Sequence, residues 1–213
     1  MFEIIAVTNR LLCGGGNDTF IAQLGKIAGS GVKAVILREK DLSEKDYENL
    51  AKSCNTVISN SSYMESEVQF IVHDNPDVAL NHGFGYLHLS WTGFTKNFLN
   101  SGLPVWAKYG SLPFGVSVHS KEEARLAGEY GASWLMAGHI FQTQSKEGLP
   151  GRGLYFLSDL CRVTSLPVYA IGGINKTNIA AIAKSGAKGA CIMSSFMQSS
   201  DPESLVKELK SHC

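Results

Sequence analysis

The chain has no excess of charge. Its 19 Lys and Arg balance 19 Asp and Glu over 213 residues, so no global positive field gathers nucleic acid or an anionic membrane at the surface, and any anion site must be local. It also lacks a long hydrophobic run. The opening MFEIIAVTNR has no basic segment followed by an apolar core and a small-residue cleavage site, and nothing reaches bilayer-spanning length. A cytoplasmic protein with no membrane or nucleic-acid partner is the expectation. Cysteine is unpatterned: positions 13, 54, 161, 191 and 213 form neither a CxxC nor a Cys/His metal spacing, which predicts reduced thiols. No Pro/Gly/Ser-rich linker interrupts the chain, which favours one domain over residues 1–213.

What is present is alternation. Short β-rich apolar runs recur at 2–8, 34–38, 68–72, 86–90, 114–118, 133–137, 167–171 and 189–193. Between most of them lie segments of helical periodicity, at 18–31, 43–54, 120–131, 153–164 and 175–186, and one more at 201–212 closes the chain. Ser43, Ser120, Asn175 and Asp201 stand where N-caps belong, and Gly31, Gly131 and Gly186 where helices end. This pattern predicts a single (β/α)8 TIM barrel, with a doubly wound open sheet as the alternative. The glycines after the first run read CGGGND (13–18) rather than GxGxxG, which weighs against the usual dinucleotide fold and makes that segment a connection.

In such a barrel chemistry sits where strands run out into loops. Arg38 and Lys40 leave the second strand, and at least one is expected to face substrate oxygens. His73 and Asp74 leave the third, with Asp77 as a first-turn acid of the next helix. His88 and Ser90 end the fourth, beside Trp91 as a wall, and Ser117 and His119 end the fifth. His88 and His119 are rival bases or neutral core histidines. His139 follows the sixth strand, ahead of a polar loop through Thr143 and Lys146. Gly172 and Gly173 after the seventh strand, with Met193, Ser194 and Ser195 after the eighth, suit a phosphate held by backbone amides at a short helix start. Asp74 alone is a weak metal signal.

The stretches LREK, IVHDNPDVAL, LHLS, GVSVHSKEEARLAGEYGASWLMAGHIFQTQSKEG and LPVYAIGGINKTNIAAIAKSGAKGACIMSS span nearly the whole chain. In this order they resemble the thiamine phosphate synthase/TenI superfamily, a family of (β/α)8 barrels with phosphate held after strands seven and eight. The departures from the synthase pattern are specific. Ile36 stands where its QxRxK stretch has glutamine, and His73-Asp74-Asn75 replaces NDR. Ser90-Trp91-Thr92-Gly93 follows the fourth strand where a further acidic metal ligand is usual. A Mg²⁺-pyrophosphate site has lost much of its ligand set.

Gly138-His139 before IFQT, followed by KEGLPGRG, is instead similar to the TenI thiazole tautomerases, whose GH[IV]F segment carries the catalytic histidine. The resemblance implies that His139 transfers a proton in a carboxythiazole phosphate tautomer to give the aromatic thiazole, with no cofactor. It further implies phosphate on Gly172, Gly173, Met193, Ser194 and Ser195, with Arg38, Lys40, His73, Ser117, Thr143 and Lys146 around the rest of the substrate. Two alternatives stand beside it. One is a thiamine phosphate synthase, in which Asp74 binds Mg²⁺ while hydroxymethylpyrimidine pyrophosphate joins thiazole phosphate. The other is a non-catalytic protein that binds a phosphorylated thiazole and regulates. A homo-oligomer is left open.

Overall fold

The computed structural model describes residues 1–14, 16–61, 67–100 and 110–213; of the 13–18 glycine segment, Gly15 therefore lies outside the described residues. Eight parallel strands close into one barrel in chain order, with β1 paired to both β2 and β8. They are β1 (Glu3–Val7), β2 (Ala34–Leu37), β3 (Gln69–His73), β4 (Leu87–Leu89), β5 (Phe114–Val118), β6 (Trp134–Gly138), β7 (Val168–Ile171) and β8 (Gly189–Ile192). The described helices are α1 (Asn17–Ala28), α2 (Glu44–Ser59), α3 (Pro76–Asn81), α4 (Trp91–Phe94), α5 (Lys121–Glu129), α6 (Gly153–Val163), α7 (Ile179–Lys184), α8 (Ser194–Gln198) and α9 (Pro202–Ser211). The (β/α)8 barrel is therefore the fold, and the open sheet is excluded.

The strands read as continuous apolar runs because both of their faces are buried. One parity points into the barrel, where Ile5, Val7, Ile36, Ile71, Met136 and Cys191 pack on one another. The other parity, including Ile4, Ala6, Val35, Leu37, Val72 and Leu89, meets the helix layer through Phe20, Leu24, Tyr47, Leu157 and Leu160. At the lower end of the barrel the Tyr169 hydroxyl donates to Glu3 at 2.6 Å, and the Gln69 amide donates to Tyr86 at 3.0 Å. These bonds leave the opposite mouth as the end where the inner face meets solvent.

Ser43, Ser120 and Asp201 cap their helices, each side chain accepting a backbone N–H from the first turn. Asp77 is the acid in the first turn of α3. Gly31, Gly131 and Gly186 take up left-handed backbone just past α1, α5 and α7. Asn175 corrects the expectation for α7. Its carboxamide oxygen accepts from the N–H and hydroxyl of Thr177, two residues on, so it shapes a turn, and regular helix starts only at Ile179. Asn, with its short acceptor, serves such a turn as readily as a helix cap.

Candidate active site

Strand parity builds the site. Continuing inward from Val7, Ile36, Ile71 and Met136, the next layer toward the mouth is made by residues at the strand exits. Together they line a cavity of about 570 Å³ at the C-terminal ends of the strands. Of the residues picked out from sequence, Arg38, Lys40, His73, Ser117, His139 and Thr143 lie on its wall, as do Lys146, Gly172, Gly173, Met193 and Ser194. Ser195 and Asp74 do not. Ser195 is the second residue of α8 and has already turned from the cavity, while Asp74 is drawn into the turn after β4. Val7, Ile36, Met136, Ile171 and Cys191 form an apolar part of the wall that chemistry-minded sequence reading passes over. Because each run is apolar on both faces, sequence shows no alternation that separates them from the residues facing the helices.

His139 follows the last residue of β6, and its backbone is held from both sides. The Ile140 N–H donates to the Ile171 carbonyl at 2.9 Å, and the Arg152 N–H donates to the His139 carbonyl at 2.9 Å. The Arg152 Nε also donates to the Gly138 carbonyl at 3.1 Å. Against this segment lies Gly172, with φ at +103°, where an added Cβ would sit 2.9 Å from the His139 Cα. Only glycine combines that backbone with that approach. The half-buried imidazole places Nε2 3.3 Å from the Leu149 carbonyl, so its position is set mainly by the main chain.

The rim is cationic. Arg38 is half-buried, and burial pushes its guanidinium below its usual range. Lys40 is lowered first by Arg38, then by burial and by Lys146. No ion pair joins these three side chains to a carboxylate among the described residues. Cations that destabilise one another at the edge of a cavity are stabilised by an anion between them. Across the opening, the φ values of Gly172 and Gly173 (+103° and +66°) bring the β7 loop close to His139 and Phe141. Ser194 begins α8, where the Met193 carbonyl accepts the Phe196 and Met197 amides and the Ser194 and Ser195 amides precede that first turn.

Two further histidines are deeply buried. His73 and His88 are 7% and 0% exposed, with ring centroids 5.8 Å apart. Burial is the largest cause holding both well below the ordinary histidine value, at about 3. They are neutral residues of the wall and floor. The His73 N–H donates to the Tyr47 hydroxyl at 3.0 Å, and His88 Nε2 lies 2.9 Å from Ser117 Oγ. His119 lines the cavity, but its backbone N–H and ring Nδ1 lie 2.6 and 3.1 Å from Glu123 Oε2. Trp91 forms part of the wall as expected.

Asp74 tests whether the site suits Mg²⁺. Its Oδ1 accepts the Ser90 N–H at 2.7 Å, and Oδ2 lies 3.4 Å from His73 Nδ1. Gly93 lies against the same carboxylate so closely that a Cβ there would be 3.0 Å from the Asp74 Cγ, leaving no room for a side chain at that position. No group of three His, Cys, Asp or Glu side chains is placed to hold a metal among the described residues. One carboxylate, already bonded to a main-chain amide, does not fit the oxygen-rich shell of a Mg²⁺ site.

The geometry has counterparts. A family model described as thiamine monophosphate synthase matches residues 4–196. A thiamine-phosphate synthase of Syntrophomonas wolfei is 31% identical over 98% of this chain and 95% of its own. One of Coprothermobacter proteolyticus is 32% identical over 92% and 88%. Among solved structures, thiamine phosphate pyrophosphorylase of Pyrococcus furiosus superposes with a TM-score of 0.76 at 25% identity, covering 99% of this chain and 95% of that one. Barrel and sequence thus agree, and the chain belongs to the thiamine monophosphate synthase/TenI family.

Proposed function

We propose that the chain is a thiazole tautomerase, converting a carboxythiazole phosphate tautomer with an exocyclic double bond into its aromatic isomer. The observation that carries this reading is the imidazole of His139, its main chain held from both sides, on the wall of a cavity that Asp74 does not line because its carboxylate takes the Ser90 amide. His139 removes the proton from the ring carbon that bears the carboxylate. The freed electron pair enters the ring as the exocyclic double bond shifts, and the exocyclic carbon takes the proton back from the same imidazole. No bond to a leaving group breaks. The β7 loop and the start of α8 hold the phosphate, Arg38 and Lys40 meet the carboxylate, and Thr143 and Lys146 close over the ring.

The test is to mix the purified protein with the tautomer and follow the aromatic product. His139→Ala should lower kcat by about 10²- to 10⁴-fold, the usual share of general acid–base catalysis. Undiminished turnover in that variant would remove His139 from the reaction.

A second reading is favoured by the relatives that carry the synthase name at 31–32% identity. In it the protein joins hydroxymethylpyrimidine pyrophosphate to thiazole phosphate. Mg²⁺-dependent formation of thiamine phosphate by the pure protein, lost in Asp74→Ala, would establish it over the tautomerase.

A further inference from the structure

We propose that His88 is a positioning residue that fixes the Ser117 hydroxyl as a hydrogen-bond donor toward an acceptor atom of the bound substrate; this rests on the reading of the cavity as the substrate site. His88 is fully enclosed, stacked at 6.3 Å on Trp134 and 5.8 Å from His73. Its Nε2 is 2.9 Å from Ser117 Oγ. Its Nδ1 is a buried nitrogen with no partner, the only such side-chain atom among the described residues.

A neutral imidazole has one N–H and one bare nitrogen. With the proton on Nδ1, a donor would be stranded where water cannot reach. With the proton on Nε2, the unpaired atom is a lone pair among aromatic rings, and no N–H is left unmet. Buried donors without acceptors are the rarer defect. Enclosure holds the ring neutral, so the form protonated on both nitrogens does not enter.

Nε2–H therefore donates to Ser117 Oγ. The serine proton then points away from that bond, into the cavity that Ser117 lines. The chain of donors runs from His88 through Ser117 to the ligand. It presents an O–H donor to an anionic or carbonyl oxygen, which gives the floor a polarity matching the cationic rim. His88 stands at the floor of the cavity that both residues line and acts through the serine.

Long-range ¹H–¹⁵N correlation on the labelled native protein reads the tautomer directly, with the His88 signals assigned by their loss in His88→Gln. Protonated Nε2 and bare Nδ1 are expected; the reverse overturns the proposal. Thiazole phosphate, the substrate under the synthase reading and the tautomerase product without its carboxylate, supplies the second readout. Ser117→Ala should weaken its binding about 10- to 100-fold, the scale of one hydrogen bond to a charged group. His88→Leu should weaken it similarly, the double variant no further, and His88→Gln, which restores an N–H near the Nε2 position, should recover most of the loss. Independent, additive losses would mean that His88 does not act through Ser117. The tautomer result needs no ligand. Failure of the native protein to bind thiazole phosphate would count against the cavity assignment while the spectrum still decided the proton's place.

Discussion

At the scale of single residues, histidine divides by depth. His139 was legible because a titratable ring directly after an apolar run, ahead of a polar loop, marks a strand exit. Its neighbours in the cavity were harder to place. His73 and His88 look alike in sequence, each near a strand end, and only the packing of Tyr47, Trp134 and Ser117 around them separates buried wall from reactive group. Their burial has a measurable consequence. Both rings titrate at about 3 when folded, against an ordinary 6.5. Between those values the unfolded chain binds more protons than the folded one, so the stability they contribute is complete above about pH 6.5 and declines as pH falls toward 3. Urea midpoints measured from pH 7 downward should fall already between 6.5 and 5, above the range where carboxylates titrate. His88→Gln should flatten that part of the curve, and a flat midpoint in the native protein over that interval would show that these rings do not stay neutral. Ser195 and Asp74 follow strands but do not line the cavity, since sequence shows that a residue follows a strand but not which way the next turn carries it.

Among elements, the loops after β6 and β7 act as a pair. The β6 loop presents His139, and the β7 loop lies against it so tightly that Gly172 has no space for a side chain. Gly172→Ala meets both a left-handed backbone angle and the His139 main chain, so it should cost more than about 1 kcal/mol of stability. It should also lower turnover by displacing the imidazole. Denaturant midpoints and kcat on the same preparation check this, and native values for both would mean the two loops are not coupled. The helices show where local chemistry speaks plainly and where it does not. Ser43, Ser120 and Asp201 could be read as caps because a short acceptor preceded a clear amphipathic period. Asn175 had the same look. Its partner is Thr177, close enough in sequence for a turn to form first, and periodicity cannot distinguish a tight turn from the opening of a helix.

For the molecule as a whole, the barrel was legible because eight apolar runs alternating with helical segments have few ways to bury both faces. The cavity was legible only as a list of strand ends; its shared floor emerges when parity from all the strands is combined. That geometry makes ligand binding visible as stability. If thiazole phosphate binds the folded chain alone, at 100 times its Kd it should add about 2.7 kcal/mol, seen as a rise in Tm that Lys146→Ala and Arg38→Ala reduce. No rise at saturating ligand would mean the cavity does not take it. Two indoles near the site among the described residues offer a second view of the same event. Trp91 stands on the wall of the opening, and Trp134 lies beneath, stacked on His88. The barrel therefore carries its own optical gauge. A molecule entering from above changes the polarity around Trp91 first, and one that reaches the base alters Trp134 as well, so emission compared with that of Trp91→Phe reports how deep a compound sits before any chemistry is followed.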